Sequence, residues 1–336
     1  MRNHMTPLLN LYFPLIKAFV ILVGNSEKRR KMLEGFLSAK EAVEKYIVGC
    51  QAKVHTSDER LLGKAVLAGI MIGMGAAASS VAAHTITDVG LSRLAAAVVF
   101  PVGLMMVILL GAELFTGDCL MAMSVSAGKH SVRDTVRVLF AVYFGNLVGA
   151  SLLAFLITMS GQLDYSSGML GAYTIKVAAG KTGISLSKAL TSGALCNILV
   201  CAAVLMATCA KDITGKLLSV FFTIMLFVTA GFEHCVANMY YITAGLLAKT
   251  NPDYVKLAVE QYGCTNEQIG ALNVSNYLFG NLVPVTLGNI LGGILFIGLP
   301  LYYLNREKVK VKNKNIAKER FENDVVYRRG IAGTGN

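Results

Sequence analysis

The chain has 336 residues, 54% of them hydrophobic and 15% charged, with no tryptophan. That balance excludes a soluble globular domain and marks an integral membrane protein. The net charge of +11 does not point to nucleic acid, because the basic residues gather in particular loops and in the tail rather than over a folded surface.

In chain order, apolar segments of spanning length, roughly 20 residues, are expected at 64–84, 94–126, 135–160, 183–210, 217–248 and 278–304, with the second and fifth interrupted. This gives an all-α membrane protein of six spans. Residues 1–34 form an N-terminal extension with an apolar run ahead of "NSEKRRK". The run has no A-x-A cleavage pattern and contains Pro14 and Lys17, which argues against a signal peptide. Two readings stay open: Met32 is the natural start, with residues 33–46 an amphipathic helix on the inner membrane surface, or the extension adds a membrane-associated segment. The transmembrane domain is expected at 35–308, with repeats at about 60–160 and 183–305. Residues 309–336 form a basic tail too poor in apolar residues to fold alone.

Lys129, Arg133 and Arg137 lie between spans two and three, Lys211 and Lys216 between four and five, and Arg306, Lys308, Lys310, Lys312 and Lys314 follow span six. The positive-inside rule then puts both termini in the cytoplasm of a multi-pass cell-membrane protein. Arg93, Lys176 and Lys181 fall on the outside. The seven scattered cysteines make no CxxC pair and read as small hydrophobes, without disulfides or a metal site.

An internal repeat is visible. "KAVLAGIMIG" from Lys64 pairs with "KALTSGALCN" from Lys188, 124 residues apart, and "FGNLVGA" from Phe144 pairs with "LGNILGG" from Leu287, 143 apart. Between them "GAELFTGD" (111–118) and "GFEHCVAN" (231–238) interrupt spans two and five. With three spans per half, the second copy enters from the opposite side, an inverted repeat typical of channels and transporters. Small-residue patterns also recur by accident in packed membrane helices, but three coincidences in one order outweigh that.

A break at membrane depth survives only where protein or water surrounds it, so both breaks are expected to line a pathway. Gly111, Gly117 and Gly231 let the backbone leave the helix, and Asp118 reads as the N-terminal cap of the following half-helix. The half-helix starts offer unpaired amides to an anion. Glu113 and Glu233 either hold loop amides or meet the permeant, with the structural role favoured. His234 is the one histidine deep in a span and therefore a functional candidate.

"GAELFTG", "YFGNLVGA", "GALCNILVC", "GFEHCVANM" and "NLVPVTLGNILGG" together resemble the formate/nitrite transporter family over about residues 35–308. The resemblance implies an aquaporin-like six-helix protomer in a homopentamer, each protomer conducting small anions such as formate, nitrite or hydrosulfide, with no cofactor and no enzymatic activity. Carried over residue by residue, it makes Leu104 the inner constriction and Leu114 with Phe227 the outer one. Thr116 and Phe115 become loop residues of the path, His234 its centre beside Glu233, and Asn197 and Asn289 polar pore residues. Lys181 becomes the basic residue of the outer vestibule. Asp118 stands where the family often has an uncharged polar residue. Formate is the favoured anion, and titration of His234 is expected to gate or couple its passage.

Two rivals remain. A neutral-solute channel would show paired Asn-Pro-Ala loops, which are absent, and an intramembrane metalloenzyme would need a second deep ligand spaced as in HExxH, which does not follow His234.

Overall fold

The computed structural model describes residues 35–306. The expected extension 1–34, with its proposed start at Met32, and the basic tail 309–336 lie outside these residues. Six described helices are long and apolar enough to cross a membrane: Asp58–Ala83, Val89–Leu110, Val132–Met159, Leu186–Cys209, Ile213–Ala230 and Asn276–Asn305.

Helix α1 (Ala39–Val54) starts later than the sequence suggested, because Ser38 and Glu41 close a capping box in which each side chain accepts from the other's amide. Its buried stripe of Ala42, Val43, Ile47 and Cys50 packs on protein, against the end of span four and the short helix after the first break, rather than lying free for lipid. Span one is α2 (Asp58–Ala83). Span two is α3 (Val89–Val99) and α4 (Val102–Leu110), joined through Phe100 and Pro101.

At Gly111 the φ of +66° lies in the left-handed region that glycine enters without steric cost, and α4 ends. Three non-helical residues follow, the last of them, Leu114, extended. The chain then rewinds as α5 (Phe115–Asp118), a 3-10 turn at Cys119–Met121 and α6 (Ala122–Ser126). Span three is α7 (Val132–Met159).

The second half repeats the plan. Span four is α9 (Leu186–Cys209); span five is α10 (Ile213–Ala230), stopped by Gly231 at φ +73° and resumed as α11 (Cys235–Ala248). Span six mixes π-wound stretches at Asn276–Leu282 and Gly292–Gly298 with α14 (Val283–Leu291) and α15 (Leu299–Asn305). The connecting loops hold three helices that hydropathy did not reveal: α8 (Met169–Thr182) between spans three and four, and α12 (Pro252–Tyr262) and α13 (Asn266–Ala271) after span five.

Spans one and three cross at glycine. A Cβ on Gly149 would lie 2.0 Å from the Val66 carbonyl oxygen, and one on Gly69 would lie 2.2 Å from that of Asn146. Spans four and six do the same, with Gly288 set against Leu190 and Gly292 against Ala194, each at 2.1 Å. Small residues let the backbones close to van der Waals contact where lipid supplies no hydrophobic drive. These contacts also correct the register of the repeat. Gly149 and Gly292 are 143 apart as expected, but their partners Val66 and Ala194 are 128 apart, not 124. The matching lysines at 64 and 188 are therefore one helical turn out of structural correspondence.

Candidate functional site: two breaks between two vestibules

The side of the protein carrying α1 is called near, and the side carrying α8 and α12 far. Each break is pinned by one asparagine. Asn146 of α7 accepts from the Phe115 amide at 3.0 Å and donates to the carbonyls of Ala65 (2.8 Å) and Glu113 (3.0 Å). Asn289 of α14 accepts from the Cys235 amide at 3.0 Å and donates to the carbonyls of Gly193 (2.7 Å) and Glu233 (3.0 Å). The pinned residues, Phe115 and Cys235, are 120 apart, as are Gly111 and Gly231. Backbone groups freed at membrane depth are thus satisfied by side chains of the neighbouring span. Asn197 links the halves, donating to the carbonyls of Thr116 (3.1 Å) and Asn289 (2.6 Å).

These bonds revise several expectations. The donors of Asn197 and Asn289 are engaged by backbone carbonyls, so both residues hold the scaffold together. Asn146, equivalent to Asn289, belongs in the same role; its place in the repeated GNxxG frame was the available signal. The acids do not hold the loop amides, since the asparagines do.

The acids bind lysines instead. On the far side Lys181 Nζ donates to both oxygens of Glu233, at 3.0 and 3.1 Å. Asn238 donates to Glu233 Oε2 at 2.6 Å, and Asn281 joins through Asn238 at 2.8 Å. On the near side Lys53 bridges Glu113, at 2.5 Å, and Asp118. Asp118 is therefore not a helix cap. It is the last residue of α5, the N-cap there is Leu114, and its carboxylate faces α1. Burial opposes the Lys53 charge, but the carboxylates of Asp118 and Glu113 outweigh it and hold the ammonium above its usual range.

His234 is the N-cap that Asp118 is not. Its Nδ1 accepts from the Ala237 amide at 3.0 Å, so the neutral ring carries its proton on Nε2, which lies 2.8 Å from Thr116 Oγ1. A second proton on His234 could enter only at Nδ1, by displacing that amide.

Two cavities approach this pair. The far one, about 540 Å³, is lined by Phe100, Phe227 and His234 at its depth and by Arg93, Lys176 and Lys181 toward its mouth. The near one, about 290 Å³, is lined by Leu104 and Leu114 together with Lys53, Lys64, Asp118 and Lys216. Phe100 and Phe227, which both line the far cavity, meet edge to face with ring centroids 5.6 Å apart. Leu114 does not join Phe227. The left-handed turn at Gly111 carries Leu114 to the near cavity, beside Leu104. Phe100 was missed, although it stands four residues before Leu104 and hence on the same helix face.

Phe115 packs away from the path, its ring 4.9 Å from that of Tyr143 on α7. Gly117 stays helical within α5, where a Cβ would meet Val204 at 3.3 Å; its carbonyl accepts from Tyr46 at 2.9 Å. Only Gly111 and Gly231 let the chain leave the helix.

The formate/nitrite transporter family model matches residues 40–303. The chain belongs to this family. It is 36% identical over 219 residues to the formate channel FocA of Haemophilus influenzae, covering 65% of this chain and 76% of that one. It is 33% identical over 276 residues to a probable formate transporter of Methanothermobacter thermautotrophicus, covering 76% and 93%. Among solved structures it is similar to a pentameric formate channel with formate bound, with a TM-score of 0.65 and 32% identity over 74% of this chain and 97% of that one. It is also similar to an FNT family ion channel, with a TM-score of 0.66 and 28% identity over 79% and 99%. This member of the formate/nitrite transporter family is thus a multi-pass helical membrane protein, and the relatives it matches are transporters and channels.

Proposed function

We propose that this chain is a channel for small monovalent anions of weak acids, formate first among them, which cross with a proton or as the neutral acid. The observation that carries the reading is the buried Thr116 and His234 pair, hydrogen-bonded at 2.8 Å, with an aromatic pair on its far side and two leucines on its near side. A bare anion among those rings would lose several kcal/mol of hydration. A small neutral acid would lose far less and would find replacement hydrogen bonds at Thr116, whose hydroxyl accepts from His234 and keeps its own proton to donate. Basic residues at both vestibules raise the local concentration of anions. Because Nδ1 of His234 is tied up as the helix cap, the imidazole polarises Thr116 rather than carrying a second proton.

The near side is cytoplasmic on this reading, since Lys129, Arg133, Arg137, Lys211 and Lys216 lie in the loops and at the helix starts on that side. Three spans per half make the repeat inverted. The pentameric neighbour supports a homopentamer in the bilayer, and exposed aromatics such as Phe140, Phe144, Phe279 and Phe296 give each protomer apolar surface for neighbours and lipid to cover.

The test is flux into proteoliposomes of formate, nitrite, hydrosulfide, chloride and glycerol at two pH values. Formate flux is expected to rise as pH falls, with chloride and glycerol excluded. Chloride passing as readily as formate would overturn the protonation step, because chloride has no usable conjugate acid. Nitrite or hydrosulfide outrunning formate would reassign the substrate within the family.

A further inference from the structure

The two lysine clusters occupy equivalent positions but hold different charge. On the far side Lys181 faces one carboxylate, Glu233, and Asn238 completes the cluster as a neutral amide. On the near side the residue equivalent to Asn238 is Asp118, 120 positions earlier, so one ammonium faces two carboxylates. Both acids are buried, Asp118 with only 1% of its surface exposed. Asp118 Oδ1 binds Lys53, whereas Oδ2 is buried with no hydrogen-bond partner among the described residues. The Asn238 side-chain carbonyl likewise has none among them, but it is neutral, whereas a charged oxygen left alone in a buried site is far more costly.

We propose that the Glu113 and Asp118 pair binds one proton, carried on Asp118 Oδ2, and that this near-side site passes it to the anion entering the pore. The proposal rests on the reading of the chain as a weak-acid channel. Asp118 lines the near cavity together with Leu104 and Leu114, so an anion bound for the constriction passes it. In the transfer the O–H bond of Asp118 breaks and an O–H bond forms on formate. Formic acid and the Asp118 carboxylate result, and a hydronium ion from the vestibule reloads the carboxylate, its O–H bond breaking to leave water. No other reactant is required.

The charged and titratable groups around the pair are accounted for. Lys53 bridges it from α1, where Tyr46 and Cys50 also face it. Lys64 of α2 stands 3.8 Å from Glu113 Oε1, Cys201 of α9 approaches Tyr46, and Lys216 of α10 stands across the cavity. Lys64 is half exposed at 47% and screened by water, so it does not neutralise the second carboxylate as a buried partner would. Two like charges sharing one site push one of them to hold a proton.

The experiment compares wild type with Asp118→Asn, which gives the near cluster the composition of the far one, and with Glu113→Gln. Infrared difference spectra of the purified protein across a pH step should show a protonated-carboxyl C=O band in wild type that Asp118→Asn abolishes. Formate flux should fall several-fold in Asp118→Asn at neutral pH, where free formic acid is scarce, and converge on wild type at acid pH, where water supplies the proton. A wild-type spectrum without that band, or a flux ratio constant across pH, overturns the proposal. If Asp118→Asn does not fold, Glu113→Gln serves in its place, since removing either acid ends the sharing and should abolish the same band. Failure of the channel reading is distinguishable, because wild type would then carry no formate while the band remains.

Discussion

The break in span two and the break in span five share one scaffold and differ in what they display. Each has a left-handed glycine, three non-helical residues, an acid bound to a lysine, and an asparagine from the neighbouring span on the loop backbone. Upon that frame the first break carries Leu114 and Asp118, and the second, at the equivalent positions, His234 and Asn238. The frame is repeated because every half must satisfy the same backbone groups in hydrocarbon. The displayed residues are free to diverge: a leucine and a carboxylate at the first break, an imidazole and a neutral amide at the second.

The largest effect should come from disturbing the shared frame. Gly149→Ala and Gly292→Ala would each drive a Cβ to 2.0 or 2.1 Å from a backbone oxygen of the facing span. Both should abolish folded protein as judged by detergent-stable elution; if only one did, the halves would not be equivalent in packing. Next come Asn146→Ala and Asn289→Ala. Each removes three hydrogen bonds and leaves buried backbone groups unpaired at about 1–3 kcal/mol apiece, so both should lower the thermal midpoint markedly and by similar amounts. A large loss in one alone would show that the two breaks are supported unequally.

The smallest effect separates the vestibules. Lys181 is neutralised by Glu233, so the far vestibule's net pull on anions rests on Arg93 and Lys176, the latter held over the rings of Tyr173 and Tyr262 at 5.8 and 5.1 Å. The double variant Arg93→Gln, Lys176→Gln should raise the half-saturation concentration for formate a few-fold at low ionic strength. Maximal flux should be unchanged, and the difference should vanish at high salt. Half-saturation equal to wild type at low salt would return the capture role to Lys181.

Much of this frame was legible before any coordinates. Six long apolar runs, two of them interrupted by glycine and acid, are strong signals because charge is so costly in hydrocarbon. What stayed hidden was of two physical kinds. Helices α8, α12 and α13 lie outside the spans with polar faces, so hydropathy does not distinguish them from loops. The pairing of Lys53 with Asp118 joins residues 65 positions apart, and no periodicity announces it. Matching letters also misled: the lysines at 64 and 188 align by eye, but the contacts of Gly149 and Gly292 set the halves one turn away. That Leu114 lines the near cavity was not legible either, because the direction in which a left-handed turn sends the chain is not written in residue types.

The bridge made by Asn197 has a mechanical consequence. By binding the Thr116 carbonyl of one break and the Asn289 carbonyl that anchors the other, it fastens both loops into a single rigid collar. Neither loop can swing without straining its counterpart. The motion this collar leaves free is rotation of the side chains around it, Phe100, Phe227, Leu104 and Leu114, which moves neither loop.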